Sequence, residues 1–70
     1  MSQEEVYKIL KELGGKATTR QISIRAKEKF PTASLYQYVG NRLQKLEKNG
    51  YVKKTIEKRE TIWSVIADYP

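Results

Sequence analysis

A mostly helical α+β fold, with three helices followed by a two-stranded β-hairpin, is what this 70-residue sequence predicts. Three observations carry that prediction. Apolar residues fall into three helically spaced stripes between Val6 and Leu46. Capping residues and glycines punctuate those stretches where helices should start and stop. From Tyr51 onward the period drops to two, in a segment rich in β-branched and aromatic residues. Seventy residues make one small domain, residues 1–70. A chain of this length buries only about 60% of its unfolded surface, so the core is thin.

The first helix is expected over about residues 3–13. Ser2 caps it and Glu5 reaches back, a capping box. Val6, Ile9, Leu10 and Leu13 then line one face, and Gly14–Gly15 end it. The second helix spans about 19–28. Thr18 caps it, Gln21 closes the box, and Ala17 with Ile22 sit where a hydrophobic staple belongs. Ile22, Ala26 and Phe30 share a face, Ile24 lies off it, and Pro31 stops the element.

The third helix covers about 33–48, with Thr32 the preferred cap and Ser34 a competing one. Leu35, Val39, Leu43 and Leu46 form its buried stripe, and Asn49–Gly50 end it. The hairpin follows over about 51–66. If Lys58 and Arg59 make its turn, Val52 faces Val65 and Lys54 faces Trp63. That register puts Val52, Trp63 and Val65 on the core side. Tyr51, Ile62 and Ile66 on the other face then call for contact with the first helix or a second subunit.

Composition narrows the function. The chain has neither cysteine nor histidine, so disulfides, zinc sites and the usual nucleophile and general base are missing. The Gly14–Gly15 pair is a helix stop and not a phosphate loop. We therefore expect no catalysis and no cofactor. No apolar run is long enough to span a membrane, and the acidic start "MSQEEVYK" is not a signal peptide, which favours the cytoplasm. The net charge of +6 is uneven. Residues 1–15 carry Lys8 and Lys11 against Glu4, Glu5 and Glu12, whereas residues 16–70 carry twelve basic side chains against five acidic ones. Such a bias suits a polyanionic partner.

The face of the third helix opposite its stripe points to chemistry. At about 100° per residue, with Val39 inward, Gln37 and Asn41 point outward, and Ser34, Gln44, Lys45 and Lys48 share that half. Amides match adenine edges and serine can contact any base. Ser34, Gln37 and Asn41, in the N-terminal half, are the candidate base contacts on the family resemblance given below, in which that half enters the groove most deeply. Phosphate contacts need only a donor or a positive charge at the right height. Arg20 on the second helix, Tyr36, Tyr38 and Lys45 on the third, and Lys53, Lys54, Lys58 and Arg59 on the hairpin are the candidates. Glu57 and Glu60 beside the hairpin tip argue against deep insertion there. Trp63 alternates in step with Val65 and belongs to the core.

The block "ATTRQIS…A…YVGNRLQKLEKNGYV" with a basic hairpin behind it resembles the winged helix-turn-helix family of transcription regulators. The resemblance covers roughly residues 3–66. It implies double-stranded DNA as partner, a recognition helix at 33–48, a wing with its tip at Glu57–Glu60, and a short β-bridge at Lys16–Thr18. Two features depart from the family pattern. The interhelical turn reads "KFPT", and Tyr36, Tyr38 and Gly40 stand where serine, threonine or arginine are usual. No base preference is carried over from relatives. A winged-helix module that docks on protein is the alternative. The oligomeric state is open, with a homodimer through the first helix and the hairpin's outer face favoured.

Overall fold

The computed structural model describes residues 3–31 and 35–70, with the side chains of 35–37 outside the description. Three helices and three strands follow in the order α1 (Gln3–Glu12), β1 (Lys16–Thr18), α2 (Thr19–Lys29), α3 (Leu35–Lys48), β2 (Val52–Glu57) and β3 (Glu60–Val65). The strands form one antiparallel sheet in the order β1-β3-β2. The result is an α+β fold of winged-helix-like arrangement. Its sheet has one strand more than the hairpin, at the position the family resemblance implies.

Local chemistry accounts for the elements. Apolar residues at helical spacing put Val6, Ile9 and Leu10 of α1 in the core, with Leu13 packed at its edge. The proposed Ser2 cap lies outside the described residues. Two successive glycines with φ of 91° and 83° then turn the chain from α1 into β1, a conformation that side-chain-bearing residues adopt at a cost. At the start of α2 the Gln21 amide donates to Thr18 Oγ1 at 3.0 Å and the Thr18 amide donates to Gln21 Oε1 at 2.9 Å. This reciprocal box satisfies two amides that the helix cannot. Ile22 and Ala26 are fully buried, Phe30 packs at the core edge, and Ile24 is 48% exposed.

Val39, Leu43 and Leu46 of α3 are fully buried. Leu35, expected to begin the same stripe, has its side chain outside the description, and Thr32 and Ser34, the competing caps, lie outside the described residues. No described atom lies within 4 Å of a Cβ built at Gly40, so no neighbouring helix demands a glycine there.

The hairpin pairs Val52 with Val65 and Lys54 with Trp63, the register expected from a Lys58–Arg59 turn. Both turn residues have positive φ, 49° and 68°, the signature of a type I′ turn whose twist matches the strands. Val52 and Trp63 are buried and Val65 packs on the core. Beyond them the same face runs out past the core, leaving Ile56 68% exposed.

Two further contacts close the fold. Trp63 Nε1 donates to Thr19 Oγ1 at 2.7 Å, tying the central strand to the first turn of α2. The C-terminal segment returns to α1, where Tyr7 Oη donates to the Ala67 carbonyl at 2.9 Å. Tyr69 stacks at a tilt against both Tyr7 and Tyr51, with ring centroids 5.4 and 4.9 Å apart. Tyr51 therefore meets the first helix through Tyr69. Ile66 stays exposed. Among the described residues no helix is long and apolar enough to cross a membrane.

Candidate functional site

The outward side of α3 follows from its amphipathic spacing. With Val39, Leu43 and Leu46 turned inward, Tyr38, Asn41, Gln44, Lys45 and Lys48 are exposed, and Arg42 sits half-buried between the two faces. Together these six side chains line a shallow hollow of about 390 Å³. It combines an aromatic ring, two side-chain amides and three cations along about three helical turns. Of the sequence candidates, it brings together Tyr38, Asn41 and Lys45. Ser34 lies outside the described residues. Gln37 and Tyr36 are in the helix by backbone, with their side chains outside the description.

A second hollow, of about 260 Å³, lies between the first turn of α2 and the hairpin tip. Thr18, Thr19 and Arg20 line one side and Arg59, Glu60 and Thr61 the other. Two candidate cations, 39 positions apart in the sequence, thus face one depression. The Glu60 carboxylate shares it and offsets part of their charge.

The remaining hairpin candidates divide between the faces. Lys54 points to the core side, where its ammonium lies 5.9 Å from the Trp63 ring centroid. Lys53 alternates to the opposite face, opposite Ser64. Lys58 and Arg59 occupy the turn, with Glu57 directly opposite Glu60 just behind it. Like charges in that relation weaken a strand pair. The tip therefore combines two residues of positive φ with an unfavourable carboxylate pair.

The structure also sorts the basic residues of α2. Arg25 Nε lies 3.5 Å from Glu12 Oε2, Arg25 Nη1 lies 3.7 Å from Glu28 Oε1, and Lys29 Nζ donates to Glu12 Oε1. The Lys29 hydrogen bond is the chief cause that holds the Glu12 carboxyl below its ordinary pKa, and the nearby Arg25 charge adds to it. By contrast, Arg20, Lys45, Lys48, Lys53, Lys58 and Arg59 make no ion pair with a described residue. Cations without an ion pair to a described residue accordingly lie on α3, at the start of α2 and on the hairpin, with Lys11 of α1 and Lys16 of β1 besides, while the middle of α2 is spent on α1.

Sequence reasoning missed two participants. Thr19 has no local signal, because its partner Trp63 is 44 residues away. Ile56 had one: it follows Val52 and Lys54 on a single strand face and lies farthest along it toward the tip. In comparisons with known proteins, no family profile, no curated protein and no solved structure matches this chain.

Proposed function

We propose that this chain binds double-stranded DNA as a sequence-specific regulator of transcription, in the manner of winged helix-turn-helix proteins. On this reading α3 enters the major groove and the β2–β3 hairpin lies as a wing along the neighbouring backbone or minor groove. The observation that carries it is the hollow on α3, where Asn41 and Gln44 are flanked by Lys45 and Lys48 and by the Tyr38 ring. Amides in that position match base edges, and the lysines suit the phosphates on either side. Arg20, Lys58 and Arg59 add cations on the two neighbouring elements, and Lys53 and Lys54, on opposite faces of β2, are the further backbone candidates. Ser34, Gln37 and Tyr36 complete the proposed contacts at the N-terminal end of α3. The protein then acts in the cytoplasm, without cofactor or catalysis. As a homodimer it would read half-sites about one helical turn apart.

Gel-shift titrations on random and selected duplexes at two salt concentrations test the proposal. With around six phosphates neutralised, log affinity should fall against log salt with a slope of roughly −5. Gln37→Ala with Asn41→Ala should lower discrimination and spare nonspecific affinity. Lys53→Ala with Arg59→Ala should weaken all duplexes alike. Equal losses on every duplex from both pairs would remove the base-reading role. The second reading, docking on protein, draws on the exposed Ile24 of α2, Ile56 of β2 and Ile66 beyond β3, which stand singly and not as one patch. It predicts binding that depends weakly on salt and is lost when these isoleucines are replaced.

A further inference from the structure

We propose that Tyr38 and Asn41 work as a pair that selects a step rich in A·T. The Tyr38 ring covers the 5-methyl group of a thymine, and the Asn41 amide pairs with N6 and N7 of an adenine in the neighbouring base pair. This rests on the DNA reading above and assigns Tyr38 to the bases, where the sequence had assigned it to a phosphate.

Three observations lead to it. Tyr38 is 45% exposed although its neighbour Val39 is fully buried, so much of the ring stands in water. It shares its hollow with Asn41, three positions on. Residues so spaced lie on one helix face, about 4.5 Å apart along the axis, close to the spacing of about 3.4 Å between successive base pairs. Last, the major groove offers one apolar group for a ring to cover, the thymine methyl, and asparagine is matched to the donor–acceptor pair of adenine. An exposed ring beside an amide at that spacing is complementary to the two together. Lys45 and Lys48, farther along the same hollow, are then left for phosphates.

The test uses duplexes selected from a random pool and fluorescence anisotropy of labelled DNA. Replacing each thymine in turn by deoxyuridine should weaken binding about fourfold at one position, the loss of one buried methyl. At that position cytosine should bind poorly and 5-methylcytosine should recover part of the affinity. Tyr38→Ala should abolish the thymine–uracil difference, whereas Tyr38→Phe should keep it. A neighbouring adenine should become sensitive to 7-deaza substitution only while Asn41 is present. Tight, selective binding with no uracil effect overturns this inference and leaves the DNA reading standing. So does a Tyr38→Phe protein as impaired as Tyr38→Ala, since that assigns the hydroxyl to a phosphate. A pool that yields no preferred duplex removes both.

Discussion

Trp63 and Thr19 hold the sheet to the helical layer through one hydrogen bond of 2.7 Å, between an indole that is 3% exposed and a hydroxyl in the first turn of α2. The bond satisfies the polar edge of the largest side chain in the core. Through it, the position of the wing is linked to the helix that carries Arg20.

Removing either partner should show this. Thr19→Val leaves the indole N–H unsatisfied and should lower unfolding free energy by about 1–3 kcal/mol, measured by urea denaturation followed by circular dichroism. Trp63→Ala should cost more, about 3–5 kcal/mol, because a cavity is added. A Thr19→Val protein as stable as the parent would mean that the bond contributes nothing.

Lys58 and Arg59 hold positive φ at the wing tip, where Asn-Gly is the favoured pair. The double change K58N/R59G should therefore raise stability by about 1 kcal/mol. It should also remove two cations, shrinking the salt slope of duplex binding by about 2. Stability and binding should move in opposite directions. Were both to fall, the turn would not be strained as its dihedrals imply.

Glu12 gives a pH signature. Its folded pKa is depressed, chiefly by the Lys29 hydrogen bond. The stabilisation is therefore present above the unfolded pKa and is lost as pH falls through the lower folded value. Thermal melts from neutral pH down into the acid range should show the parent losing this contribution. Glu12→Gln, which lacks it throughout, should show a flatter profile. Parallel profiles for the two proteins would contradict the assignment.

Gly40 lies inside α3 with no described atom near a built Cβ. Gly40→Ala should accordingly stabilise the protein by about 1 kcal/mol in urea titration. If glycine is kept there for close approach to DNA, the same variant should bind duplexes more weakly despite its greater stability. Unchanged binding would leave Gly40 without a role at the interface.

What the sequence made legible was local or periodic. The Thr18–Gln21 box needs only residues three apart, and the wing register follows from strict alternation, although Lys-Arg is poor turn chemistry. The outward placement of Asn41 and Lys45 likewise follows from helical geometry alone. β1 is different: three residues show no usable period, and its partner β3 lies more than 40 positions away, so only the family resemblance pointed to it. Thr19 with Trp63 and Arg20 with Arg59 are about as far apart, and nothing in the sequence pointed to either pairing. The basic run on α2 reads as uniform in sequence, yet packing against α1 gives Arg25 and Lys29 to Glu12 and leaves Arg20 without an ion pair among the described residues. Which cations are spent inside the chain depends on how two helices are set together, and no single stretch of sequence contains that.

The Lys54 ammonium over the Trp63 ring makes the molecule its own optical probe. The chain has a single tryptophan, so its ultraviolet emission comes mainly from that one indole and carries the imprint of the charge above it. If the proposed duplex draws Lys54 away, the field on the excited state changes, and a label-free spectral shift should report the contact.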